Sequence, residues 1–265
     1  MIDAASMIGT HDVLLVTLDT LRYDVAADAL AAGRTPCLAA VLPGGRWERR
    51  HAPATFTYAA HHAFFAGFLP TPPTPGPHPR LLAARFAGSE TTTARTAVLD
   101  APDWVTGLAD RGYHTACVGG VGFFNKLTPL GSVLPGLFAE SHWSPELGVT
   151  SPTSTERQVA VAESILRSRP PSQRLLLFVN VSAMHQPNCI FTPGATVDTP
   201  ATMGAALAYA DGWLGRLFAA AAARGPTLAI VCSDHGTAYG EDGFAGHRLA
   251  HPTVWDVPYA EFVLA

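Results

Sequence analysis

The chain has 265 residues, 48% of them hydrophobic and 14% charged, with 17 Lys and Arg against 21 Asp and Glu for a net charge of -4. That length and apolar content suit one α/β domain with a substantial core and exclude a disordered chain. The charge balance excludes a dedicated nucleic-acid binder, which needs a basic footprint on phosphate; the group Arg46, Arg49 and Arg50 reads as a solvated face.

The first predicted element is a strand over Asp12–Leu18. A helix follows over 57–65, then a proline-rich loop over 69–79 and a helix over 102–111 that stops at Gly112. A strand over 115–118 leads into an irregular stretch, 127–152, rich in Pro, Gly and Ser. Then come a polar-amphipathic helix over 156–168, a strand over Leu175–Val181 and an Ala/Leu-rich helix over 201–223 that stops at Gly225-Pro226. A strand over Thr227–Cys232 and a last one over 259–265 complete the chain. The inner strands are continuously apolar, as in a parallel sheet covered on both faces. The expected fold is therefore α/β: a doubly wound, mostly parallel sheet with helices on both faces, in a single domain over 1–265 without a C-terminal subdomain. No apolar run reaches membrane-spanning length, and the first residues lack the basic and apolar regions of a secretory signal. Cys37, Cys117, Cys189 and Cys232 show no Cys-x-x-Cys spacing. They read as free thiols, and the expected compartment is cytoplasmic.

In an open α/β sheet, ligands bind beyond the carboxyl ends of the strands. That rule selects Asp19 after the first strand, residues 180–185 after the 175–181 strand, and Asp234-His235 in the run Leu228-Ala229-Ile230-Val231-Cys232-Ser233-Asp234-His235-Gly236. Each has an ordinary role open to it: Asp19 can cap a helix, and His235 can bond a loop. Acids and imidazoles gathered at one edge are a donor set for a divalent cation.

The segment Val16-Thr17-Leu18-Asp19-Thr20-Leu21-Arg22-Tyr23-Asp24 resembles the opening motif of the alkaline phosphatase superfamily, in its sulfatase-like branch. Cys232-Ser233-Asp234-His235-Gly236, with 239–247 and Val257-Pro258, resembles that branch's later motif, and 52–70 resembles its nucleophile segment. The resemblance implies a cation held by Asp19, Thr57, Asp234 and His235, with Thr57 as nucleophile; a helix cap is the alternative for Thr57. Sulfatases carry a Cys or Ser that becomes an aldehyde hydrate at this position, and threonine cannot be converted that way, so phosphoryl transfer fits better.

His61 falls at the family's arginine position and is expected to bind a non-bridging oxygen. No acid precedes His185, unlike in two-zinc members, so one divalent ion (Mn, Mg or Zn) is expected and a second is not required. His185 is then an oxyanion binder or leaving-group acid. His247, His251 and Lys126 complete the expected substrate-binding set; a polar loop histidine and a solvent-exposed lysine are the alternatives for the last two. The implied function is a metal-dependent hydrolase or phosphotransferase acting on a small or carrier-linked anionic phosphate ester, with no nucleic-acid or membrane partner. A non-catalytic binding protein and a phosphomutase are the rivals.

Overall fold

The computed structural model describes residues 2–67 and 103–265. Its main sheet has the spatial order β2-β9-β6-β1-β5-β3-β4. The strands are β1 (Asp12–Leu18), β2 (Glu48–His51), β3 (His114–Val118), β4 (Glu140–His142), β5 (Leu175–Val181), β6 (Thr227–Cys232) and β9 (Asp256–Leu264); β7 (Ala238–Tyr239) and β8 (Ala245–Gly246) form a separate hairpin. From β6 to β4 every pairing is parallel, whereas β9 runs antiparallel to both β6 and β2. Every residue of β1 and β5 is buried, which is what their unbroken apolar runs require.

Alternation divides the two strands between two cores. Leu14, Val16, Leu18, Leu177, Val179 and Val181 face the helices α1 (Tyr23–Ala31), α2 (Pro36–Val41), α6 (Ser154–Ser168) and α7 (Pro200–Arg224). Val13, Leu15, Leu176 and Phe178 face the opposite side, with Phe65 from α3 (Thr57–Ala66) and Val105 and Leu108 from α4 (Trp104–Ala109). Helices thus cover both faces of a mostly parallel sheet. The short helices α5 (Pro129–Val133) and α8 (Pro252–Trp255) lie in connecting segments.

The helix ends follow local chemistry. A capping box between Thr199 and Thr202 opens α7 just before Pro200, and α3 ends on Gly67, whose left-handed φ of 71° suits glycine. The 69–79 loop lies outside the described residues, as does Pro102. The irregular 127–152 stretch contains α5 and the edge strand β4. The arginine-bearing segment read as a solvated face is the other edge strand, β2, where Arg49 pairs with Asp256 and Arg50 with Glu48. Among the described residues, no helix is long and apolar enough to cross a membrane.

Candidate metal centre

Three segments deliver side chains to one point on the carboxyl edge of the sheet. Asp19 follows β1, Asp234 and His235 follow the neighbouring β6, and Thr57 opens α3; Asp19, Asp234 and His235 are fully buried. One donor atom from each of Asp19, Asp234 and His235 lies within 4.8 Å of the other two. Thr57 Oγ1 sits 3.2 Å from His235 Nε2 and 3.5 Å from Asp19 Oδ2.

The two helix-cap alternatives are not what forms. The N-cap of α1 is Arg22, and that of α3 is Phe56, so neither Asp19 nor Thr57 occupies a cap. Thr57 is instead the first helical residue, and its hydroxyl turns toward Asp19 and His235. Asp19 is held by Thr20 Oγ1 on Oδ1 at 2.8 Å and by Asn180 Nδ2 on Oδ2 at 3.0 Å. Thr20 adopts a left-handed φ of 68°, uncommon for a β-branched residue, and its N–H donates to Asp234 Oδ1 at 3.1 Å.

The electrostatics favour a cation. Burial and the charge of Asp19 push the Asp234 carboxyl up to about 7. Burial also opposes ionisation of Asp19, but His185 and His235 together with the hydrogen bonds from Asn180 and Thr20 hold this group below its ordinary value. Asp234 Oδ2 is buried and accepts no hydrogen bond from the described residues. Burial lowers the His235 imidazole. Its Nδ1 faces the Gly236 carbonyl at 2.8 Å; a carbonyl only accepts, so Nδ1 carries the proton and Nε2 offers a lone pair. Two buried carboxylates with one orphan oxygen, a neutral imidazole nitrogen and a hydroxyl are a fitting donor set for a divalent ion.

Two further histidines border this set. The His247 ring lies 4.7 Å from that of His235 and 6.1 Å from that of His185. Burial, then His235 and His185, push His247 down to about 4, and its Nδ1 is buried without a hydrogen-bond partner among the described residues. The loop carrying His247 is anchored twice. Arg22 reaches Glu241 at 2.5 Å, and Arg248 N donates to Thr55 O at 2.9 Å, two residues before Thr57.

The other expected residues lie beneath or beside this set. His61 stands on its inner side, with Nδ1 3.6 Å from Asp234 Oδ2. It is fully buried beneath Thr57, with both ring nitrogens engaged by Thr57 O at 2.8 Å and Thr17 Oγ1 at 3.0 Å. Lys126 has a left-handed φ of 57°, and its ammonium donates to Ser141 O and Oγ on the β4 edge. His251 is the N-cap of α8: it accepts from Thr253 N through Nδ1, and its Nε2 meets Asp242. Both side chains are thereby committed to local contacts.

The sequence places Asn180 at a selected strand end without giving it a role, and does not single out Arg248. Asn180 had one signal, an amide inside the apolar run Leu175–Val181. Arg248 stands at a left-handed φ of 70° with its guanidinium 5.5 Å from the Phe56 ring, and among the described residues it makes no ion pair.

An open, mostly parallel sheet with helices on both faces places the chain among the α/β folds. The particular fold is similar to that of solved alkaline phosphatase superfamily structures. The chain is similar to the Zn complex of the C-terminal periplasmic domain of EptC from Escherichia coli, with TM-score 0.65, 12% identity, and 96% of this chain and 73% of that one covered. It is similar to a protein in the alkaline phosphatase superfamily from Vibrio parahaemolyticus, with TM-score 0.56, 17% identity, and 95% and 60% covered. A third similar structure is the integral membrane lipooligosaccharide phosphoethanolamine transferase EptA from Neisseria meningitidis, with TM-score 0.61, 16% identity and 96% of this chain covered; the chain spans 47% of that protein. No protein-family profile and no curated protein sequence matches the chain.

Proposed function

We propose that the chain is a metal-dependent phosphoryl-transfer enzyme acting on an anionic phosphate ester, with Thr57 as nucleophile. The observation that carries this reading is the placement of the Thr57 hydroxyl, between His235 Nε2 and Asp19 Oδ2, at the first residue of a helix. Asp19, Thr57, Asp234 and His235 would hold one divalent ion. When bound, such an ion lowers the cost of ionising a hydroxyl and offsets charge on phosphoryl oxygens. A Zn complex of a similar fold supports zinc as the first ion to try; Mn and Mg suit the same acid-rich set.

In this scheme the Thr57 oxygen forms a bond to phosphorus as the ester oxygen leaves, giving phosphothreonine and an alcohol. The N-terminal N–H groups of α3 face the anion. His185 and His247 flank the reacting centre; one of these imidazoles or solvent takes the Thr57 proton as the bond forms and returns it to the departing alcohol. Water or a second alcohol then accepts the phosphoryl group from Thr57. Arg248, beside Phe56 and without a carboxylate partner among the described residues, supports an anionic substrate. The similar EptA is a phosphoethanolamine transferase, which supports transfer to an acceptor alongside hydrolysis.

The four cysteines are free, which supports a reducing, cytoplasmic compartment, and the domain proposal is a single unit over the whole chain. The similar EptC domain is periplasmic, so cell fractionation with compartment markers is the check on location. The activity test is metal analysis together with turnover of phosphomonoester, phosphodiester and sulfate-ester probes by wild type and Thr57→Ala. Mass spectrometry of a quenched reaction should find phosphate on Thr57. A Thr57→Ala protein with wild-type turnover would sink the reading.

A further inference from the structure

A hydrogen-bonded chain of buried side chains runs beneath the site and joins the nucleophile's helix to the first metal-binding acid. His61 Nδ1 donates to the Thr57 carbonyl at 2.8 Å. Its Nε2 therefore accepts, and its partner at 3.0 Å is the hydroxyl of Thr17. The Thr17 oxygen accepts from Asn180 Nδ2 at 3.1 Å, and the same amide nitrogen donates to Asp19 Oδ2 at 3.0 Å. With one proton on the His61 ring, each direction follows. A carbonyl and a carboxylate only accept and an amide nitrogen only donates, so the Thr17 hydrogen is left for His61 Nε2.

Several features show that this chain is built in. Thr17 and Asn180 are register partners on β1 and β5, and both lie on the face that packs against α3. Thr17, His61 and Asn180 are fully buried. Asn180 Oδ1 accepts from Gly120 N at 3.2 Å and Val121 N at 3.1 Å, so all four hydrogen-bonding capacities of this side chain are used. The loop can come that close because residue 120 is glycine: a Cβ there would stand 2.3 Å from Asn180 O. Around His61 the neighbours are the rings of Phe64, Phe124 and Phe178, at centroid distances of 5.6, 5.3 and 5.5 Å. An unmet polar atom among them would be costly, which makes the arrangement all-or-none.

We propose that Thr17, His61 and Asn180 act as a positioning relay. It fixes the first turn of α3 relative to Asp19 and so sets the spacing between the Thr57 hydroxyl and the carboxylate before any ligand arrives. None of the three touches substrate. The inference rests on the reading of Asp19 and Thr57 as cation ligands given above. Outer-shell partners of this kind orient ligands, and losing one costs about ten- to a hundredfold in metal affinity or activity.

Thr17 is the link to remove, because valine keeps its shape and suits a strand, while serine keeps the hydroxyl. Affinity for Zn²⁺ or Mn²⁺, measured by competition with a chelator, should fall about ten- to a hundredfold in Thr17→Val. Turnover should fall through kcat with KM nearly unchanged, and Thr17→Ser should recover both. In the wild type, ¹⁵N spectra of the imidazoles should show the His61 ring proton on Nδ1, as the Thr57 carbonyl requires. Unchanged cation affinity and kcat in Thr17→Val would overturn the relay, and so would a His61 proton on Nε2, which is readable whether or not the variant folds. A wild type that takes up neither cation overturns the metal-site reading instead, and the His61 tautomer then judges the relay alone.

Discussion

The strand β1 is flanked by buried acids at its two ends, and they are compensated in opposite ways. At its start, Asp12 accepts from Arg224 Nε at 2.7 Å and from Leu175 N at 2.9 Å, with Arg174 at 3.5 Å. Arg224 is equally buried and also donates to the carbonyls of Leu166, Arg169, Pro170 and Gln173. Just past the other end, Asp19 and Asp234 share one pocket, and among the described residues no Arg or Lys pairs with either. Their company is imidazole, hydroxyl and amide, and Asp234 Oδ2 has no hydrogen-bond partner among the described residues. A buried carboxylate needs charge or hydrogen bonds. Where the chain supplies both, the acid is a structural staple; where it withholds the charge, the acid is available to a ligand.

The largest effect is expected at the hydroxyl between those acids. Thr57→Ala should reduce turnover of a phosphate ester on the order of 10⁴-fold or more, with the fold intact by circular dichroism. A pair of isosteric changes then sets the two ends of β1 against each other. Asp12→Asn leaves the Arg224 charge buried without its partner and should cost about 3–5 kcal/mol of stability, with cation affinity unchanged. Asp234→Asn should abolish cation binding and yet stabilise the metal-free chain.

The sign follows from linkage. Burial and Asp19 raise the Asp234 carboxyl from 3.8 to about 7, so the folded chain keeps a proton that the unfolded chain has lost. That group's contribution therefore declines as pH rises between these values, and the penalty is fully present above them. Without metal, the melting temperature of Asp234→Asn should exceed that of wild type above about pH 7 and converge with it in acid. Parallel melting curves across that range would contradict the assignment.

How much of this was legible in the chain depended on burial. The inner strands β1, β5, β3 and β6 show as unbroken apolar runs because both of their faces are covered. The edge strands β2 and β4 carry Arg, Glu and His, and no hydrophobic periodicity marks them. Asp19, Thr57, Asp234 and His235 were readable as strand-end and helix-start residues. His61 was readable as a residue on α3, but helical spacing gives a direction and not a depth, and the residue lies under Thr57 instead of beside a substrate. His251 stands four residues after His247, a spacing that shares a face only on a helix. The chain between them is irregular, and His251 caps α8. Thr17 and Asn180 were each one polar residue in an apolar strand, and only the register of β1 on β5 shows that they meet.

Two smaller effects sharpen the contrast between residues in the pocket and residues beside it. His247→Ala should lower kcat about a hundredfold, since its imidazole lies against that of His235. Lys126→Ala and His251→Ala should change kcat/KM by no more than about twofold, because their polar atoms serve Ser141 and the α8 cap.

The most direct measurement of the central claim is the metal content of the chain after dialysis against limiting Zn²⁺ or Mn²⁺, for wild type and Asp234→Asn side by side. One tightly held ion is expected per wild-type chain, with a higher melting temperature when that ion is present and no stoichiometric ion in the variant. A wild type that holds no ion, or a variant that holds as much as the wild type, would contradict that claim.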